Sequence, residues 1–169
     1  MQILSHVRIF ACMHVTLLTV GKTDIPWVRQ GLELYVSRLC HYVPFTLTEI
    51  PELKNVSSLG VEQIKAREGE LILKAVKPSD EVVLLDEHGR EYRSLEFSAM
   101  LQDRISRGGR DIVFVIGGAY GFSGSVYERA DGKLSLSKMT FSHQIVRTIF
   151  AEQLYRAFTI MRGEPYHHE

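Results

Sequence analysis

Asp111-Ile112-Val113-Phe114-Val115-Ile116-Gly117-Gly118-Ala119-Tyr120-Gly121-Phe122-Ser123-Gly124 decides the fold class of this chain. Six residues of nearly unbroken apolar character run into a loop with glycines spaced G-G-x-x-G-x-x-G. A short apolar run of this kind reads as a strand buried on both faces, which is the environment of a parallel sheet covered by helices. Glycine permits positive φ and close approach of a ligand to the backbone. The spacing is not the dinucleotide-binding G-x-G-x-x-G pattern, and there is no Walker A motif. Spacing alone leaves two readings open, a ligand-binding loop and a plain strand-to-helix turn.

Working outward, Val15 to Val20 is rich in β-branched residues and ends at Gly21-Lys22, so it reads as a first strand. Pro26 can start a helix carrying Val28, Leu32, Tyr35, Val36 and Leu39 on one side. Phe45 to Ile50, stopped by Pro51, is a second strand. Ser57 or Ser58 is expected to cap a helix with Val61, Ile64, Leu71, Ile72 and Ala75. Glu81 to Leu85 is a third strand. Ser94 is expected to cap a helix presenting Phe97, Leu101 and Ile105, closed by Gly108-Gly109. After the fourth strand come a short helix with Val126 and Tyr127, a fifth strand at Leu134 to Ser137, and a last helix starting near His143. Gly163 ends that helix. The βαβαβαβαβα order predicts an α/β fold around a mostly parallel sheet of five or six strands, built as one domain.

The chain has 169 residues, 45% hydrophobic and 24% charged, with zero formal net charge. That composition suits a globular domain and gives no global electrostatic footprint for nucleic acid. No apolar run approaches the length of a membrane span, so no membrane association is expected. The two cysteines, Cys12 and Cys40, form no C-x-x-C or Cys/His ligand pattern, so neither a metal site nor a disulfide framework is expected. This usage suits the reducing cytoplasm. Ile9-Phe10-Ala11-Cys12 faintly resembles a lipoprotein cleavage site, but the lead has no basic cluster and Arg8 interrupts it. Residues 1–12 therefore read as an extension ahead of a domain spanning 13–169.

In open parallel sheets ligands bind at the carboxyl ends of the strands. Three such ends carry polar or glycine-rich loops here: Leu85 to Gly89, the glycine loop, and Ser137-Lys138-Met139-Thr140-Phe141-Ser142-His143. The last lies just before a helix, where amides can hold a carboxylate or a base edge, or where Ser142 can be a simple N-cap. Arg147 and Arg156 project from the final helix about half a turn apart, so one subunit cannot point both at one site. Tyr166 and His167 can stack on bases and donate hydrogen bonds, or belong to a frayed tail.

Phe114 to Gly121, Leu136 to His143, Glu152-Gln153-Leu154-Tyr155-Arg156-Ala157 and Pro165-Tyr166-His167, in this order, closely resemble the RlmH (YbeA) family of SPOUT methyltransferases. Val15 to Lys22 and Leu84-Leu85-Asp86 match as well. Ser142 departs from the family, which most often has proline there. The resemblance implies a SPOUT-type α/β fold with a deep carboxy-terminal trefoil knot, and a homodimer joined through the knotted helices. It implies S-adenosylmethionine as cofactor, contacted by Leu85, Gly118, Ser137, Lys138, Met139, Thr140, Phe141 and Ser142. It implies methylation of N3 of a pseudouridine in 23S ribosomal RNA (the 1915 site, helix 69) on assembled ribosomes. His143 is then the first candidate for a local base, with His167 from the partner's tail the second. Arg156 or Arg147 is the candidate for stabilising the developing imidate, with Tyr166 helping to close the site. Two rival functions are a SPOUT methyltransferase of transfer RNA and a non-catalytic ribosome-binding factor.

Overall fold

The computed structural model describes residues 13–168. The reading of residues 1–12 lies outside them. Five strands form one sheet in the order β2-β1-β4-β3-β5, with every pairing parallel. The strands are β1 (Val15–Val20), β2 (Phe45–Ile50), β3 (Glu81–Glu91), β4 (Ile112–Ile116) and β5 (Gly132–Ser135). The helices are α1 (Pro26–Leu39), α2 (Val61–Ala75), α3 (Ser94–Ser106), α4 (Gly124–Arg129) and α5 (Ile145–Met161).

β4 lies at the centre of the sheet and is buried along its whole length. Successive side chains of a strand face opposite sides, and β4 feeds both cores. Ile112, Phe114 and Ile116 pack with α1, α3 and α5 through Leu32, Leu101 and Phe150, among others. Val113 and Val115 pack on the other face with Ile72 of α2 and Val126 of α4. β1 divides in the same way, Val15 and Leu17 to the first core and Leu18 and Val20 to the second. The first core is aromatic at its middle. The Phe114 ring centre lies 4.8 Å from that of Phe150 and 6.5 Å from that of Phe97.

Element boundaries differ from the sequence reading where side-chain hydrogen bonds compete with simple capping. α2 starts at Val61 rather than at the serines, because the Gln63 side chain accepts the Gly60 N–H at 3.1 Å. α3 is preceded by Arg93, whose N–H is accepted by Glu96 at 2.9 Å; Ser94 is already helical. α5 begins at Ile145, and the Ser142 hydroxyl accepts the Ile145 N–H at 3.3 Å.

The larger difference is in β3. It does not stop at Leu85 but resumes, so that Leu85 and Arg90 both lie opposite Leu134 of β5. Asp86 to Gly89 are carried out of the ladder between them. Gly89 closes this excursion against the backbone of β5. A Cβ there would sit 2.6 Å from the Leu134 carbonyl carbon and nitrogen, which no side chain tolerates. β5 correspondingly spans Gly132–Ser135, two residues earlier than Leu134 to Ser137.

Phe114 has no exposed surface and meets two other rings. Phe114→Ala is expected to destabilise the domain by about 3–5 kcal/mol. The check is the shift in urea unfolding midpoint at constant slope.

Candidate functional site

The carboxyl ends of β3, β4 and β5 enclose a cavity of about 520 Å³. Its floor is apolar, formed by Leu85, Ile116, Phe122, Leu134, Leu136 and Val146. Three walls rise from it: Asp86, Glu87 and His88 from the β3 excursion, Gly117 to Gly121 after β4, and Ser137 with Met139 to His143 after β5. Volume and lining are those of a small-molecule site, mostly apolar with a few convergent polar groups.

Backbone conformation shapes the middle wall. Gly121 has φ +81°, its N–H is donated to the Gly118 carbonyl, and the turn is tight because glycine accepts that dihedral without strain. Gly118 is small for a different reason. A Cβ on it would lie 2.6 Å from the Glu68 carboxylate beneath the loop. Burial, then the nearby Glu52 charge, pushes the Glu68 carboxyl above its ordinary value.

The third wall offers donors. The Ser137 hydroxyl accepts the Met139 N–H at 2.9 Å, and the Ser135 hydroxyl donates to the Ser137 carbonyl at 3.0 Å. The main-chain N–H groups of Thr140, Phe141, Ser142 and His143 make no hydrogen bond to the described residues. They are available to the acceptor edge of a base or a carboxylate. Met139 is 77% exposed and Phe141 36%, so both can fold over an occupant.

Of the expected cofactor contacts, Leu85, Gly118, Ser137, Met139, Thr140, Phe141 and Ser142 all line the cavity, as does His143. Lys138 is the exception: its exposed side chain lies outside the lining.

Arg147 requires a correction. It is fully buried and faces away from the cavity lining, toward the end of β1. Its guanidinium donates to the carbonyls of Val20 at 2.7 Å, Gly21 at 3.0 Å and His143 at 2.9 Å, and to the Thr23 hydroxyl at 2.8 Å. Those bonds commit its donors to three carbonyls and the Thr23 hydroxyl, away from the cavity, so it is not placed to stabilise charge on a substrate there. Its work is to fasten the start of α5 to the end of β1, which fixes where His143 stands. Glu49, 4.0 Å away, is the nearest counter-charge. Burial disfavours ionisation of Glu49, but the Thr23 N–H and hydroxyl, then Arg29 and Arg147, outweigh it and hold the carboxyl below the usual range.

Arg156, Tyr166 and His167 do come together, but elsewhere. Arg156 donates to Glu152 at 2.6 and 3.1 Å and lies 3.3 Å from His167 Nδ1. The Tyr166 hydroxyl donates to the same Glu152 oxygen at 3.1 Å, and the Arg156 guanidinium stacks 4.8 Å over the Tyr166 ring. Burial, then the Tyr35 hydrogen bond and the Glu152 charge, raises the Tyr166 phenol above its ordinary value, so it acts as a donor. The tail therefore packs into a cluster of hydrogen bonds and ring contacts against α5. Arg156 is ten residues along α5 from Val146, so about 15 Å of helix separates it from the cavity of its own subunit. The residues expected to share one site therefore lie in two separate places in one subunit.

A family model described as "Predicted SPOUT methyltransferase" matches residues 13–167. Proteins named "Ribosomal RNA large subunit methyltransferase H" match over nearly the same span. The one from Parabacteroides distasonis is 52% identical over 93% of this chain and 100% of its own length. Those from Christiangramia forsetii and Porphyromonas gingivalis are 53% and 54% identical, over 92% and 93% of this chain and 99% and 100% of theirs. The chain belongs to the RlmH family of SPOUT methyltransferases. Among solved structures, the SpoU methyltransferase AviRb from Streptomyces viridochromogenes is matched at a TM-score of 0.44 and 13% identity. That match covers 95% of this chain, which spans 65% of AviRb.

Several residues of these two places were read in the sequence only as members of a strand end, a helix or a motif, with no role given. Asp86, Glu87 and Tyr127 line the cavity, and the strand-end rule that pointed to Leu85 contained the signal for the first two. Glu152 organises the tail cluster, and its spacing of four residues before Arg156 is the ordinary helical ion-pair spacing. Among the described residues no group of histidine, cysteine and carboxylate side chains is arranged to hold a metal.

Arg147→Ala is expected to cost about 3–5 kcal/mol of folding stability, because it leaves buried carbonyls without donors. Thermal or urea unfolding checks this, and the loss must appear in the absence of any ligand.

Proposed function

We propose that this chain methylates N3 of a pseudouridine in 23S ribosomal RNA (the 1915 site, helix 69) on assembled ribosomes, using S-adenosylmethionine. The observation that carries the reading is the cavity at the ends of β3, β4 and β5, with unpaired amides from Thr140 to His143, in a chain more than half identical to relatives named for large-subunit ribosomal RNA. The residues fit the cofactor. The apolar floor suits an adenine ring, the amides of the Ser137–Ser142 loop suit its acceptor edge, and the glycine loop admits the ligand close to main chain. When bound, the cofactor supplies a methyl group activated by sulfonium charge.

The chain's own residues then have to position and deprotonate. N3 of the base is an imide nitrogen and attacks well only without its proton. His143, on the cavity wall, is the local group placed to take it, a contribution of roughly 10²–10⁴-fold. Arg156 is the cation suited to the imidate oxygens. Since α5 holds Arg156 away from its own cavity, the reading requires a homodimer in which Arg156, Tyr166 and His167 of one subunit face the cavity of the other. The partly exposed faces of α1 and α5 support this: Trp27 is 61% and Leu34 46% exposed. The same reading carries the trefoil knot. The chain leaves β5 at the sheet edge and α5 returns to pack between α1 and α3. A ribosomal substrate accounts for the neutral net charge, since the ribosome supplies docking surface, and places the protein in the cytoplasm.

The test is methyl transfer from labelled S-adenosylmethionine to ribosomes, separated subunits and naked RNA from a strain lacking the protein, with the modified base mapped. Label on that pseudouridine only in assembled ribosomes is the expected result. Label on transfer RNA, or cofactor binding with no transfer, would favour one of the rival readings. Arg156→Ala and His143→Ala are each expected to lower turnover by at least about 10²-fold with the dimer intact; full turnover in both would rule out the assigned roles.

A further inference from the structure

The cavity wall contributed by the β3 excursion carries two carboxylates, Asp86 and Glu87. The Asp86 side chain is only 7% exposed although it lines the cavity. Both of its oxygens are held: Oδ1 accepts the His88 N–H at 2.8 Å, and Oδ2 accepts the Tyr127 hydroxyl. Burial disfavours its ionisation, but the Tyr127 and His88 hydrogen bonds, with the His88 ring beside it, outweigh that and keep the carboxyl below the usual carboxylate range. Glu87, more exposed, lines the same wall and accepts from the Thr140 hydroxyl at 3.4 Å across the cavity mouth. The opposing charge on the lining is Lys65, whose ammonium is already 3.3 Å from Glu62. The two imidazoles there, His88 and His143, complete the titratable set apart from the phenols of Tyr120 and Tyr127.

A carboxylate 7% exposed on the wall of a cavity floored by Leu85, Ile116 and Leu134 acts through a medium of lower dielectric than water, where attraction to a cation is stronger. S-adenosylmethionine carries one more positive charge than the product left after methyl transfer, whose sulfur is a neutral thioether. Apart from the transferred methyl group the two ligands are the same, and they share every hydrogen-bonding group. We propose that Asp86, assisted by Glu87, is the charge-selecting element of the cavity, favouring the sulfonium form over the neutral thioether and so biasing exchange of spent product for fresh cofactor. The inference rests on the cofactor assignment above, but it concerns discrimination between two ligands and not the identity of the RNA. The excursion makes the arrangement specific: Gly89 pinned against β5 sets where Asp86 can stand.

The experiment is calorimetric binding of S-adenosylmethionine and of S-adenosylhomocysteine to the full chain, without RNA, for the wild type, Asp86→Asn, Glu87→Gln and Glu87→Lys. Asp86→Asn is expected to weaken S-adenosylmethionine by about tenfold and the thioether by less than about threefold. Glu87→Gln should shift the ratio of the two affinities in the same direction by a smaller factor, and Glu87→Lys by about as much as Asp86→Asn. Equal weakening of both ligands would mean that Asp86 holds a shared group such as the ribose, and it would overturn the proposal. An unchanged ratio in all variants would also overturn it. If thermal unfolding shows that Asp86→Asn does not fold, the two Glu87 variants decide, since that side chain is 56% exposed and holds no core. Wild-type protein that binds neither ligand would instead remove the cofactor assignment itself.

Discussion

A buried guanidinium holds the architecture of the site together. Arg147 sits at the start of α5 and bonds to the main chain at the end of β1, two elements more than a hundred residues apart in sequence. Gln144, donating to the Lys22 carbonyl at 3.0 Å, and Thr148, donating to the Val28 carbonyl at 2.9 Å, add to the same attachment. The loop ahead of α5 supplies the third wall of the cavity, so the wall inherits its position from this bond set. Arginine suits the task because its planar fork reaches several acceptors at once and does not lose its charge. The energetic balance is that of a desolvated cation repaid by carbonyl oxygens rather than by a tight carboxylate, since Glu49 stands 4.0 Å off.

From that anchor the rest of the site follows by topology. The strands whose ends form the cavity, β4, β3 and β5, are consecutive neighbours at one side of the sheet, while β1 and β2 complete its other side and β1 contributes to both cores. The division of labour is visible in residue type. Where the chain must let a ligand approach, it uses glycine; where it must hold a charge, it surrounds an aspartate with donors. Where it must keep a tail in place, it stacks an arginine on a tyrosine and ties both to Glu152. The tail cluster is thus built with the same care as the cavity, and its distance from that cavity is what makes a second subunit part of the functional reading.

Much of this was legible in the chain. The unbroken apolar run of β4 signalled double burial, and the alternation of strands and helices signalled the parallel sheet. The half-turn offset between Arg147 and Arg156 signalled that they serve different places. Sequence spacing did not reveal which of the two was structural, because burial of an arginine depends on carbonyls presented by β1 and not on its own helix. The excursion in β3 was hidden for a similar reason. Asp86-Glu87-His88-Gly89 looks like the end of a strand, and only the pairing of both Leu85 and Arg90 with Leu134 shows that the ladder resumes. Lys138 was grouped with its neighbours as a contact, yet it alone of them lies outside the cavity lining, a difference that lies in loop geometry no local pattern encodes.

The order of strands also governs when this protein can fold. β1 emerges first, yet its partner at the centre of the sheet is β4; His14 and Asp111, which bond at their starts, are 97 residues apart. Only the β1–β2 pair can form early. The central ladder must wait until most of the chain exists, and α5, which seals the first core, is added last. Such non-local pairing makes folding slow relative to helical domains of similar size. During that wait the apolar edge of β1 stays uncovered. The long-range closure that completes the cavity therefore leaves the nascent chain dependent on its own late segments.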